Sequence, residues 1–270
     1  MIESKQDFCF CTLALGQQYR ILAQELGKEI EKYSPGTYFV VLTDRPKDFT
    51  NFPNILAFKH QQKGILKCYH DRRFVLKKAL ELFRVAIHID SDTKLLEPIP
   101  NDIKWLPGIT SGTYRNIIEH AQNKRSPKRQ EAIKDLAGKL DISLENTNHV
   151  EESLFIIARD GGKEIEFIKQ WDRIGRYLEM KGIHEGDGNA IGLAASKVGW
   201  TFRSEGWKEI EKCRKHAGIT WNKQKKISKD ITLAEKVYGF FDLQKQRVGY
   251  HYRLNRDRFI ALKDFNFYYK

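Results

Sequence analysis

The sequence predicts an α/β protein with a single mixed, mostly parallel sheet flanked by helices. Three observations carry this. The first part of the chain reads strand, helix, strand, short strand, helix, strand. Its last strand-like run, Val85-Ala86-Ile87-His88-Ile89, stops abruptly in Asp90-Ser91-Asp92-Thr93. In open parallel sheets, ligands bind beyond the carboxyl ends of the strands, where the strand order reverses. The chain has 270 residues and is 41% hydrophobic, enough for one sizeable core.

The elements follow in order. Residues 8–15 are an apolar run rich in strand formers, ended by Gly16. Residues 17–33 carry Tyr19, Ile21, Leu22, Leu26 and Ile30 close to helical spacing, and Ser34-Pro35-Gly36 breaks the helix. Residues 37–43 form a second strand that stops at Asp44-Arg45-Pro46, and residues 55–58 a third, short one. Residues 68–83 read as a helix, with Phe74, Leu76, Leu80 and Phe83 apolar and Arg72, Arg73, Lys77 and Lys78 basic. Together, residues 1–100 form a Rossmann-like, nucleotide-binding half.

Beyond Asp92, Leu95-Leu96-Glu97-Pro98-Ile99-Pro100 is a rigid connector. Residues 115–150 are polar and read as a solvated surface excursion, with Ser126 an N-cap and Pro127 the first helical residue. Residues 153–158 are a strand. Residues 164–180 are a helix with Ile165, Ile168, Trp171, Ile174 and Leu178 facing inward. The polar loop His184-Glu185-Gly186-Asp187-Gly188-Asn189 leads into the small, apolar residues 190–198, and residues 200–203 are a last strand. Residues 101–203 are then a second half of the same domain. Residues 204–270 are a basic, aromatic extension packed on the same domain, in which Tyr250-His251-Tyr252 and residues 265–269 read as strands.

The net charge is +12, and the last 70 residues hold 17 Lys and Arg against 8 Asp and Glu. Such a tail implies an anionic partner. No nucleic-acid-binding motif is present and the basic residues do not recur at regular spacing, so nucleic acid is not expected. A phosphorylated or lipid-linked substrate, or a peripheral contact with an anionic membrane, fits better. Cys9, Cys11, Cys68 and Cys213 form no Cys-x-x-Cys pair and are expected as free thiols. No signal peptide or membrane-length apolar run is read, so the expected place is the cytoplasm, or the inner membrane face.

Two carboxylates at the end of a buried strand are costly unless a cation meets them. A hard divalent ion such as Mn²⁺ or Mg²⁺, arriving with phosphates, is the natural candidate. Cys11-Thr12-Leu13-Ala14-Leu15-Gly16 before a helix, Val41-Leu42-Thr43-Asp44 ending a strand, and the helix running into Ile87-His88-Ile89-Asp90-Ser91-Asp92-Thr93 with a proline-containing exit together resemble the GT-A-fold glycosyltransferases. The resemblance covers most of residues 8–200, as an order of elements more than as identities, and it makes residues 101–203 the acceptor half.

It implies a nucleotide-diphosphate-sugar donor, a UDP-sugar first among them, and a glycan or glycolipid acceptor. Asp92 would bind the metal directly, with Asp90 on the metal, its water or the ribose, and Ser91 beside them. Thr12, Leu13 and Ala14 would line the base pocket, Tyr19 would stack on the base, and Asp44 would read base or ribose. Arg73 and Lys77, on one helical face, would hold phosphate or sugar. A third metal ligand would be His216, whose surroundings His216-Ala217-Gly218-Ile219-Thr220-Trp221 resemble a shortened form of one retaining branch's histidine motif; His251 is the alternative. An inverting transfer needs a carboxylate base, for which Asp187 or Glu185 on the glycine-flanked loop, or Glu152, is available.

The same residues admit a rival. Asp90-Ser91-Asp92-Thr93 also resembles the Asp-x-Asp-x-Thr nucleophile motif of haloacid dehalogenase-like phosphatases, and Gly186-Asp187-Gly188-Asn189 part of their acidic motif. Against it, that strand normally opens the domain, Ala190 stands where a second Asp is expected, and no lysine site stands out between the two. A third reading is a basic binding module without turnover.

Overall fold

The computed structural model describes residues 7–112, 114–123, 126–217 and 233–270. Gly218 to Trp221 of the histidine motif, Lys124 and Arg125 of the charged turn, and the first six residues lie outside them.

The first half matches the expected order. It runs β1 (Phe8–Ala14), α1 (Gln17–Tyr33), β2 (Tyr38–Thr43), β3 (Ile55–Lys59), α2 (Arg72–Leu82) and β4 (Val85–Ile89). The second half adds β5 (Thr93–Leu95), β6 (Gly108–Thr110), β7 (Tyr114–Asn116), α3 (Ile117–Asn123), α4 (Pro127–Leu140), β8 (Asn148–Val150) and β9 (Leu154–Ala158). Then come α5 (Lys163–Met180), α6 (Asp187–Lys197), α7 (Trp207–Lys212), β10 (Arg214–His216), α8 (Leu233–Ala261) and α9 (Phe265–Tyr269).

One six-stranded sheet, in the order β3-β2-β1-β4-β9-β6, organises the molecule. β3, β2, β1 and β4 are mutually parallel, and β9 is antiparallel to both β4 and β6. The sheet is therefore mixed and mostly parallel. Both faces are covered, so its strands read as continuous apolar runs. Alternate residues of β1 serve opposite cores: Cys9 and Cys11 pack with α2, α5 and α6, Phe8 and Phe10 with α1 and α7. The chain winds outward from β1 to β3 and then crosses back to β4. The switch point thus lies between the carboxyl ends of β1 and β4.

Four expectations for the second half need correction. The polar stretch at 115–150 is no solvated excursion: α4 buries Ala132, Ile133, Leu136, Ala137 and Leu140 in the core. Ser126 does stand at its N-cap with Pro127 following, but its side chain makes no capping bond. On α5, Ile165 is 70% exposed while Phe167 is fully buried, because steps of three residues drift by about 60° on a 3.6-residue helix. Trp200 to Arg203 contributes only an isolated bridge, from Arg203 to Thr110.

The fourth concerns the aromatic tail, which is helical and not extended. Its helix α8 docks on α5 and the loop after β3: Arg253 donates to the Ile65 carbonyl at 3.0 Å. Arg173 pairs with Asp264 at 2.6 Å and sits 3.6 Å over the Phe267 ring, and Arg176 donates to the Tyr268 hydroxyl. These contacts bury Phe267 and Tyr268, overriding their preference for strands.

Candidate functional site

β4 is buried at every residue. The Asp90 amide donates to the Ser153 carbonyl and the Thr93 amide to the Asp90 carbonyl, so Asp90 to Thr93 turn tightly out of the sheet. The chain continues as β5, which pairs antiparallel with β10 so that Thr93 faces His216. The Ala217 amide donates to the Asp92 carbonyl at 3.1 Å. This short ribbon brings a histidine from more than a hundred residues away onto the Asp-x-Asp turn. His216 Nδ1 lies 3.6 Å from Asp92 Oδ1. One ligand atom each from Asp90, Asp92 and His216 all fall within 4.8 Å of one another.

The donor set suits a metal ion. Two carboxylates and an imidazole match a hard or borderline divalent cation. All four thiols are free, and burial pushes Cys68 up to about 11 and raises Cys213, which precedes β10, so no thiolate favours a softer metal.

Around this cluster lie groups from the switch-point crevice. Gly16, with a positive φ, is the N-cap of α1, and its amide donates to Asp44. Tyr19 is half-buried in the first turn of α1. Burial, and then the nearby Tyr69, Cys68, Asp92 and Asp90, push its phenol up. Asp44 accepts two bonds of 2.8 Å from Arg20. Burial alone would raise its carboxyl, but Arg20 and the Gly16 amide bring it below the ordinary value. Thr12 and Ala14 are buried, with Leu13 between them partly covered. Ser91 is buried in the turn itself.

Arg72, not Arg73, serves this crevice. Its Nη2 donates to Asp90 at 2.7 Å, and its Nη1 to both oxygens of Asp187 at 3.0 and 2.9 Å. Burial opposes the Asp90 charge, but Arg72 and His88 hold its carboxyl well below the usual range. His88 Nε2 lies 3.5 Å away, and burial lowers its own pKa. Asp187 is 1% exposed. Burial raises its carboxyl, with Glu152 and Asp90 adding to the effect against the pull of Arg72. Glu152 accepts from the Gly188 amide at 2.7 Å and lies 3.7 Å from His149.

Two expected roles do not fit these positions. Arg73 turns away to Asp172 and the His70 carbonyl, and with Lys77 lines a different cavity. Asp187 is buried under Arg72 and not presented to an acceptor. Glu185 is exposed and pairs with Lys67. His251 is exposed on α8, so of the two histidines only His216 joins the acids. The sequence reading missed Arg72. Its one signal is position: it begins the helix that leads into β4.

No protein-family model and no curated protein sequence matches this chain.

Proposed function

We propose that the chain is a metal-dependent glycosyltransferase of GT-A type, moving a sugar from a nucleotide-diphosphate-sugar, a UDP-sugar first, to a glycan or glycolipid acceptor. One observation carries the reading. Asp90, Asp92 and His216 converge at the carboxyl end of β4, beside the end of β1, at the switch point where doubly wound sheets bind nucleotides.

Asp90, Asp92 and His216 would hold Mn²⁺ or Mg²⁺, which supplies Lewis-acid neutralisation of the leaving diphosphate. The protein's own groups do the rest. Tyr19 offers the base a ring, and Asp44, fixed by Arg20 and Gly16, offers the nucleoside an oriented acceptor. Arg72 and Asp187 fix the orientation of Asp90. Glu152 and Glu185 are the carboxylates left for an inverting base. The basic C-terminal helix adds a peripheral contact with an anionic membrane, where a lipid-linked acceptor resides. No helix among the described residues is long and apolar enough to cross a membrane.

The phosphatase reading fares worse. It needs Asp90 and Asp187 to share a metal ion, and the Arg72 guanidinium stands between them.

Thermal unfolding against a panel of nucleotide-sugars tests the proposal. With Mn²⁺ and the cognate compound at a hundredfold excess over Kd, Tm rises by about 5 °C. Chelation or Asp92→Ala removes the rise. A panel of UDP- and GDP-sugars giving no metal-dependent shift would overturn the reading.

A further inference from the structure

A second concavity lies away from the Asp-x-Asp crevice, between α2, α5 and α8. Its volume is about 850 Å³, within the range of pockets that take small ligands. Successive residues of α2 divide the two sites. Arg72 reaches into the crevice, whereas Arg73, roughly 100° further round the helix, reaches Asp172 on α5. A ligand in this cavity therefore meets none of Asp90, Asp92 and His216.

Its walls combine two chemistries. Phe74, Leu80, Ile165, Ile168 and Ile260 give it an apolar lining. Ile165 is 70% exposed there, on a helix whose other large apolar residues are covered. Seven Lys and Arg side chains line the cavity against four Asp and Glu, and the acids are already engaged. Asp172 pairs with Arg73 and Arg176, Asp257 with Arg256, and Glu81 with Lys78. Glu164 accepts the amides of Asp160 and Gly162. Lys63 and Lys77 have no ion-pair partner among the described residues. An apolar pocket with surplus positive charge at its mouth complements one kind of small molecule: a hydrocarbon tail ending in an anion.

We propose that this cavity is a binding site for an anionic amphiphile, a single hydrocarbon chain carrying a phosphate-monoester head, with the chain along Phe74, Ile165 and Ile168 and the head between Lys63 and Lys77. The site is independent of the donor-site reading. The pair Arg73 and Lys77, which sequence spacing marks as an anion-binding face, belongs here.

Isothermal titration of the full chain with dodecyl phosphate, below its micelle concentration, tests this. Saturable one-to-one binding is expected. Inorganic phosphate and dodecyltrimethylammonium should give no binding in the same range. Lys63→Glu with Lys77→Glu should weaken dodecyl phosphate about tenfold or more, and Ile168→Trp, which fills the cavity, should abolish binding with Tm retained. If Ile168→Trp fails to fold, the surface lysine pair carries the test alone. Absence of saturable binding, equal binding of inorganic phosphate or of the cationic amphiphile, or an unchanged affinity in the lysine variant overturns the proposal. The Mn²⁺–UDP shift is measured separately on the same variants, so failure of one reading is distinct from failure of the other.

Discussion

Arg72 donates to Asp90 and Asp187 together, with its own side chain 13% exposed and those of the acids 20% and 1%. Replacing it by methionine keeps the volume but leaves two carboxylates without their counter-charge. A loss of about 3–5 kcal/mol is expected, read as a lower denaturation midpoint. Arg72→Lys should recover only part, since an ammonium cannot reach both acids in the fork geometry of a guanidinium. The pH dependence has a sign. Asp90 is held below its unfolded pKa, so its contribution is present above the ordinary carboxylate range and lost as pH falls through the folded value. Stability of Arg72→Met should therefore show less of this acid-side fall than the parent. A variant as stable and as acid-sensitive as the parent would remove Arg72 from this role. At this scale the Asp90 and Asp92 pair stood out, because a charged pair ending an apolar strand has few bland explanations; His216 entered only through a motif resemblance, and its approach to Asp92 comes from the pairing of β10 with β5. Arg72 was not. Which of two adjacent arginines faces a crevice depends on helical phase, and phase depends on where the helix begins. Asp187 misled for a related reason: flanking glycines suggested an exposed turn, whereas Gly186 only turns the chain into a buried helix.

The helix that follows Gly186 opens with mostly small residues, Asp187-Gly188-Asn189-Ala190-Ile191-Gly192-Leu193-Ala194-Ala195, all nine buried. The composition has a geometric cause. α6 lies directly on β8, and a Cβ at Gly192 would overlap the Asn148 carbonyl oxygen. Gly192→Ala should accordingly destabilise by about 1–3 kcal/mol, although alanine is the better helix former. Gly138→Ala on α4, where a Cβ meets nothing within 4 Å, should be neutral or stabilising. Opposite signs in matched urea melts confirm the close approach; equal effects refute it. Elements marked by a helical period or a bounded apolar run, α1 and β1 to β4 among them, were legible from sequence to within a residue or two. The direction of β9 was not. Nothing in Leu154 to Ala158 distinguishes a strand antiparallel to β4 from a parallel one, because burial on both faces makes the same apolar run. The fate of the aromatic tail was hidden too, since its partners, Arg173 and Arg176 on α5, lie some ninety residues upstream.

Across the whole molecule the charge is uneven, and the structure gives the uneven end a shape. α8 turns Asp257 and Ala261 inward. On the opposite side, Val248, Tyr252 and Phe259 are each 69% exposed and Leu262 56%, a spacing that sets all four on one stripe. Phe265 and Tyr269 on α9, with ring centroids 5.1 Å apart, are exposed as well, as are Arg247, Arg258 and Lys263. A large exposed apolar stripe marks an interaction surface, and exposed basic residues select an anionic one. The membrane contact proposed above would place the rings in the headgroup region and the cations on the phosphates of an anionic bilayer. Co-sedimentation should therefore recover the full chain with phosphatidylglycerol vesicles and not with phosphatidylcholine vesicles, and binding should fall as salt rises. Tyr252→Ser with Phe259→Ser removes apolar area from the stripe without touching the buried face, and should weaken recovery about tenfold or more. Arg258→Glu should weaken it further, at about 1 kcal/mol for each basic residue lost at the surface. The Mn²⁺–UDP shift should persist in all three substitutions, because the stripe and the crevice share no residue. Equal recovery on neutral vesicles, or recovery indifferent to the serine pair, would assign the stripe to a protein partner instead and withdraw the membrane contact from the proposed function.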